Sequence, residues 1–192
     1  MTGRKIKNLV RKEIRYKREN MSLEEKKNLS TVITEKFFNL PEIEKADVIM
    51  SYMDFKNEVE TRELNEKLIK LGKKVLIPRV SEDKEKIIPA EITGQYRTGN
   101  FGIAESLGKD FAGKKIDIVI VPGIAFNEKG ARIGFGKGYY DKFLSQWEEE
   151  IGKILKVSLA YDFQIDNRFS GENHDKNIDM LITENRIIKL EY

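Results

Sequence analysis

Apolar and polar positions along this chain follow two periods, and the switches between them outline its elements. Near the N-terminus Ile6, Val10 and Ile14 recur every four residues, which lines one face of a helix. Ser22 with Glu25 three residues on is the signature of a capped helix start, and the pattern continues to about Asn39 before Pro41 breaks it. The apolar run VIMSYM (residues 48–53) then predicts a strand, residues 61–72 a helix opened by Thr61 and stopped by Gly72, and KKVLIP (73–78) a second strand. Strand, helix, strand at this spacing is a βαβ unit with a right-handed crossover and parallel strands.

Residues 81–115 are less regular, with KIIPAEI (86–92) as a strand or edge piece, loops marked by five glycines, and no regular helix predicted. IDIVIV (116–121) is a β-branched apolar run interrupted only by Asp117, which suits a strand covered on both faces. A long glycine-rich loop follows, then a helix from about Tyr139 to Glu150 and a strand in KILKVSLAY (153–161). IDMLIT (178–183) and RIIKL (186–190) form two short strands around Glu184 and Asn185. The expected fold is α/β: one three-layer α/β/α domain over residues 1–192 with a largely parallel central sheet. No internal repeat, low-complexity tract or linker divides it.

Composition narrows the chemistry. The chain has 192 residues, 40% of them hydrophobic, enough to bury a core without covalent staples. The absence of cysteine excludes disulfides, thiolate metal sites and thiol nucleophiles, and a single histidine, His174, argues against multi-histidine metal sites. Reactive groups must come from Lys, Arg, Asp, Glu, Tyr and the backbone. The net charge of +3 is small, but the first 20 residues hold eight basic residues against two acidic ones. Lys7, Arg11, Arg15 and Arg18 follow a stripe beside the apolar one, so this arm is either a solvated charged face or a docked helix displaying a cationic row. As a nucleic-acid element it would need interleaved aromatics, and Tyr16 alone argues against that partner. No apolar run approaches the ~18 residues needed to cross a bilayer, and the N-terminus lacks the apolar block of a secretory signal. The expected location is the cytoplasm, a transit peptide being the weaker reading beside Glu13 and Glu19.

Between the apolar strand at 116–121 and the following helix, Gly130, Gly134, Gly136 and Gly138 interleave with Arg132 and Lys137. Glycine lets backbone N–H groups approach an anion, and the helix start adds free amides and a positive dipole end. The spacing is neither a Walker A loop, because Ala131 and Gly138 stand where that motif needs Gly and Ser/Thr, nor GxGxxG, because Tyr139 holds the last glycine position. A tight structural connection is the alternative; four glycines with two cations favour anion binding.

GARIGFGKGYYD (130–141), preceded by VPGIAF, resembles the signature of the 5-formyltetrahydrofolate cyclo-ligase family, also called 5,10-methenyltetrahydrofolate synthetase. KNLVR (7–11), MSLEEK (21–26), MDFKNEVETREL (53–64), FGIAE (101–105) and NHDKNIDMLITE (173–184) resemble further elements of that family in the same order. The chain departs from it at Ser106, where the family often has Pro, and at Arg168, Phe169 and Ser170, where it often has an Ile-Pro pair. These are differences of loop geometry.

The resemblance implies an enzyme, an ATP-dependent carbon–nitrogen ligase that converts 5-formyltetrahydrofolate to 5,10-methenyltetrahydrofolate with ATP as co-substrate and Mg2+ as cofactor, releasing ADP and phosphate. Its route would phosphorylate the formyl oxygen and close the ring through N10. It implies ATP contacts from Lys7, Arg11, Arg132 and Gly134, and from the run Phe135, Gly136, Lys137, Gly138, Tyr139 and Tyr140, with Lys137 and Arg132 catalytic. Folate contacts fall on Met53, Glu58 and the run Phe135, Gly136, Lys137, Gly138 and Tyr139. Magnesium carboxylates would be Asp141 and Asp179. Each residue also has an ordinary reading: Asp141 as a first-turn carboxylate, Asp179 as a turn former, Met53 as core and Glu58 as a loop charge. One of Tyr139 and Tyr140 is expected to be packing, Arg4, Lys5, Lys12, Lys17 and Arg18 solvated, Phe101 near the pocket and His174 structural. The expected partners are small molecules rather than membrane or nucleic acid, with a monomer or homodimer as assembly. A non-catalytic folate- or nucleotide-binding regulator on the same fold is the competing reading.

Overall fold

A computed structural model describes residues 2–99, 102–172 and 175–190; Phe101 and His174 lie outside the described residues. Helix α1 (Gly3–Glu19) buries Val10 and Ile14 as its four-residue spacing requires. In α2 (Leu23–Phe38) the Ser22 hydroxyl accepts a hydrogen bond from the Glu25 N–H, which satisfies one of the free amides of the first turn. A short helix α3 (Pro41–Lys45), with Pro at its start, leads into β1 (Val48–Met50). Helix α4 (Arg62–Lys70) and β2 (Lys74–Val80) complete the expected βαβ unit, and Gly72 takes a left-handed φ of +78° at the turn between them. Thr61 does not cap α4 through its side chain; its hydroxyl donates instead to the Tyr52 carbonyl.

Downstream come β3 (Ile87–Glu91), β4 (Tyr96–Thr98), β5 (Ala104–Ser106), β6 (Ile118–Ile120), β7 (Ala125–Phe126) and β8 (Arg132–Ile133). Helix α5 (Tyr139–Ile151), β9 (Leu155–Leu159), β10 (Met180–Ile182) and β11 (Ile187–Lys189) follow. Seven strands form one sheet in the order β11-β10-β9-β6-β1-β2-β3. The inner neighbours are parallel, with Met50 opposite Leu76 on one side and Val119 on the other, and the two outer pairs, β2–β3 and β10–β11, are antiparallel. This is the expected α/β fold with a mostly parallel sheet. The central β6 explains the apolar run at 118–121: Ile118 and Ile120 pack with residues of α2 and α4, while Val119 packs on the opposite face with Phe143 and Leu144 of α5.

Two small hairpins stand apart from this sheet, β4–β5 and β7–β8, and neither was expected. Strands of two or three residues are too short to show a period, and nonlocal packing decides them. The second hairpin corrects the reading of residues 122–138 as one long loop: Phe126 pairs with Arg132 across it, and Val10 and Ile14 of α1 pack with Ile124, Ala125, Ile133 and Phe169. Phe169, one of the departures from the family pattern, is thus part of a core that seats α1. Among the described residues no helix is long and apolar enough to cross a membrane.

Candidate active site

From β1 the chain moves outward to β2, whereas β6 lies on the other side of β1 and continues to β9 and β10. The strand order therefore reverses between β1 and β6, and a crevice must open beyond their carboxyl ends. A cleft of about 960 Å³ lies there, bordered by Tyr52 and Met53 after β1 and by Pro122 after β6. That volume is at the upper end of the range for a single small ligand.

One wall carries positive charge and hydrogen-bond donors. The glycine segment after β8 includes Gly136 and Gly138 at φ +98° and +66°, conformations that a side chain would strain. A Cβ on Gly134 would come within 3.1 Å of the Arg132 guanidinium. Lys137 is exposed at the tip and forms no ion pair among the described residues, whereas Arg11 reaches from α1 to donate to the Gly134 carbonyl at 3.4 Å. Lys7, one helical turn earlier, donates to Glu172 at 2.8 Å and Asp175 at 3.1 Å. Partial burial pulls its pKa down, but these two carboxylates outweigh that and hold it above the usual lysine value. The cationic row of α1 therefore runs along the cleft, with Lys7 and Arg11 partly buried and Arg18 buried, while Arg15 borders the cleft but stays exposed.

Arg132 is not on an exposed loop, as the glycine pattern suggested, but buried in β8, and its guanidinium donates to Asp141 Oδ1 at 2.7 Å. The same oxygen accepts the Lys176 N–H at 3.0 Å. Arg132 Nε is buried without a partner among the described residues. Tyr139 sends its hydroxyl to the Lys84 carbonyl, while the Tyr140 hydroxyl is buried in the cleft wall with no partner among the described residues, and burial raises its pKa. Phe135 stands half-exposed at the cleft.

The facing wall holds Met53 and Glu58. The Glu58 carboxylate is only 7% exposed, accepts the Phe55 N–H at 2.9 Å, and lies 3.9 Å from the Arg18 guanidinium. Burial pushes its pKa up to about 7, against the opposing pull of Arg18 and the Phe55 amide. Met53 is buried beside it, with Asn65 Nδ2 3.9 Å from its sulfur. Glu105 of β5 also lines the cleft, nearly fully buried and held by the Val80 N–H and by Arg97.

Two expectations require correction. Arg18, expected to be solvated, is buried, and its guanidinium serves the loop after β1. Asp179 is not in the cleft: it precedes β10, where its carboxylate accepts the Lys156 N–H at 2.8 Å and lies 3.2 Å from the Lys156 ammonium. The strand start that it fastens is at the opposite end of the sheet from the crevice, because β9 and β10 run parallel to β6. Asp141 fits a metal ion better. It lines the cleft, both its present bonds use Oδ1, and a magnesium ion held mainly by phosphates needs only one or two protein carboxylates. Among the described residues no three acidic or histidine side chains cluster to form a metal cage. Arg15, Arg18 and Glu105 escaped the sequence reading as site residues; for the first two, the helical spacing with Lys7 and Arg11 was the available signal.

Comparison with known proteins identifies relatives over nearly the whole chain. Residues 4–184 match the model of the 5-formyltetrahydrofolate cyclo-ligase family. A probable 5-formyltetrahydrofolate cyclo-ligase of Schizosaccharomyces pombe is 32% identical over 178 residues, covering 83% of this chain and 86% of that protein. The solved structure of Aquifex aeolicus 5,10-methenyltetrahydrofolate synthetase superposes with a TM-score of 0.83 at 33% identity, covering 97% of this chain and 94% of the other. The Mycoplasma pneumoniae 5,10-methenyltetrahydrofolate synthetase gives a TM-score of 0.75 at 30% identity, covering 93% and 98%. With nearly the whole length matched in sequence and in fold, and the glycine segment lining the cleft, this chain belongs to the 5-formyltetrahydrofolate cyclo-ligase family.

Proposed function

We propose that the protein is a 5-formyltetrahydrofolate cyclo-ligase that couples ring closure to 5,10-methenyltetrahydrofolate with ATP cleavage to ADP and phosphate. The observation that carries this reading is the division of one cleft into two chemistries: a glycine segment with Lys137, Arg132, Lys7 and Arg11 on one side and the buried carboxylate of Glu58 on the other. The first suits a triphosphate, and the second suits the paired N–H donors of a pterin.

A formamide carbon is a weak electrophile and its oxygen a poor leaving group. In the proposed route the formyl oxygen attacks the γ-phosphorus and ADP departs, which leaves the carbon bonded to a phosphate ester. N10 then attacks that carbon and loses its proton, and the C–O bond breaks with release of phosphate, closing the N5–C–N10 bridge. The protein's part is positioning and neutralisation of charge. Lys137 and Arg132 stabilise charge on the transferring phosphoryl group. Lys7 and Arg11, with the amides of Gly134, Phe135, Gly136 and Gly138, hold the phosphates, Lys7 exchanging its carboxylate partners for them. Tyr139 and Tyr140 wall the site beside Phe135, and Met53 supplies an apolar contact next to Glu58. Asp141 would hold a magnesium ion, which would supply positive charge to offset that of the phosphates. The test is formation of methenyl product from 5-formyltetrahydrofolate with and without Mg-ATP, with ADP measured in parallel. Product that needs Mg-ATP and matches ADP mole for mole supports the reading; tight binding of both ligands without product would make the protein a non-catalytic regulator.

A further inference from the structure

The loop that presents Glu58 is held in shape by a side chain from another element. Arg18, near the end of α1, donates from Nη2 to the Phe55 carbonyl at 3.1 Å and to the Lys56 carbonyl at 2.6 Å, and from Nε to the Asn57 carbonyl at 3.2 Å. Asn57 returns a bond from Nδ2 to the Arg18 carbonyl at 2.8 Å. Lys56 and Asn57 have φ +46° and +57°, two consecutive non-glycine residues in the left-handed region, a conformation that persists only when its surroundings fix it. Three adjacent carbonyls pointing at one planar donor fork are that constraint. The bend turns the chain so that the Phe55 N–H meets Glu58 Oε2, with the same guanidinium 3.9 Å from Oε1.

We infer that Arg18 is a positioning residue for the folate half of the cleft: its guanidinium braces residues 55–57 and thereby fixes the Glu58 carboxylate. This rests on the substrate reading above and adds a role that the cationic row of α1 did not announce. Arg11 of the row reaches the glycine segment at Gly134; Arg18, about 10 Å further along the helix, faces the substrate loop. One helix, seated by Val10 and Ile14, thus sets the distance between the two halves.

The surroundings of Glu58 define a readout that a merely structural arginine would not move. Arg18 faces it from α1 and Lys26 from α2, Asp54 lies on its own loop, and Tyr52 and Tyr140 approach from the end of β1 and from α5. Arg18 is the principal cation among these, so its loss raises the titration midpoint of Glu58, whereas a lysine at that position keeps the charge but cannot span three carbonyls.

The experiment compares wild type, Arg18→Met and Arg18→Lys in two measurements. Carbon-13 NMR of the glutamate carboxyls, assigned with Glu58→Gln, gives the Glu58 midpoint in ligand-free protein, and calorimetry gives separate affinities for 5-formyltetrahydrofolate and Mg-ATP. Arg18→Met is expected to move the midpoint up by about one pH unit or more. It is also expected to weaken folate binding by between roughly ten- and a hundred-fold, with Mg-ATP affinity unchanged. Arg18→Lys should keep a midpoint near wild type yet bind folate several-fold more weakly. If Arg18→Met does not fold, Arg18→Lys carries the affinity test. Wild-type folate affinity and midpoint in Arg18→Met would overturn the inference, as would full recovery of affinity in Arg18→Lys, which would leave charge alone as the arginine's contribution. A wild type that binds no 5-formyltetrahydrofolate would overturn the substrate reading instead, while the ligand-free midpoint still decides whether Arg18 governs Glu58.

Discussion

Replacing Glu58 by Gln should make the ligand-free protein more stable while making it a worse folate binder. The carboxylate is 7% exposed, and its pKa is raised to about 7 from an ordinary 4.5. A raised folded-state value means that the native protein binds the proton more tightly than the unfolded chain, so ionising Glu58 opposes folding. That cost is absent below the unfolded pKa, grows as pH rises through the window from about 4.5 to about 7, and is complete above it. At about 1.4 kcal/mol per pH unit the full cost is on the order of 3 kcal/mol at pH 8, and under about 1 kcal/mol at pH 5. Glutamine is nearly isosteric and its carbonyl oxygen can still accept the Phe55 N–H, so the substitution removes the cost with little loss of bonding. The expected gain at pH 8 corresponds to roughly 5–10 °C in Tm for a chain of this size. Over the same change, loss of a charged acceptor for the pterin N–H groups should weaken 5-formyltetrahydrofolate binding by roughly one to two orders of magnitude. Urea melts of both proteins at pH 5 and pH 8, with calorimetric folate titrations, measure both effects. Equal stability at pH 8, or the same difference at both pH values, would refute the burial argument; unchanged folate affinity would move Glu58 out of the substrate site.

Lys137→Ala and Arg132→Ala should each lower turnover by ~10² or more, but only Arg132→Ala should also lower Tm, because Arg132 is buried and paired with Asp141 whereas Lys137 is exposed; steady-state kinetics beside thermal melts separate the two. Asp179→Asn should destabilise the fold by about 1 kcal/mol, since the buried Lys156 ammonium loses its second carboxylate but keeps Glu148 at 2.7 Å, and the asparagine oxygen can still accept the Lys156 N–H. The folded fraction should keep wild-type magnesium dependence, and a raised magnesium requirement would return Asp179 to the metal site. Arg11→Ala should weaken Mg-ATP about tenfold with little effect on folate, read by calorimetry.

Elements whose stabilisation is local or strongly periodic can be read directly from the order of residues. The capped α2, the βαβ unit, the apolar strand at 116–121 and the final strand pair are all legible, because side-chain period, caps and left-handed glycines act within a few residues. The sequence also carried the glycine segment with its two cations, since close backbone approach to an anion demands glycine whatever surrounds it. Tertiary structure alone decided which partners the buried charges found. Arg18 continues the four-residue spacing of Ile6, Val10 and Ile14, which the adjacent Lys17 does not, so its inward side is local; the carbonyls of residues 55–57 that it meets lie some 40 positions away, and only the assembled fold brings them there. The two carboxylates expected to share a metal likewise part company, Asp141 at the carboxyl end of the sheet and Asp179 at the other, because strand direction and order fix that and a single sequence does not display them. The raised pKa of Glu58 belongs to the same class. It follows from desolvation by neighbours drawn from α1, β1 and α5, and burial is a property of the assembled fold rather than of any segment.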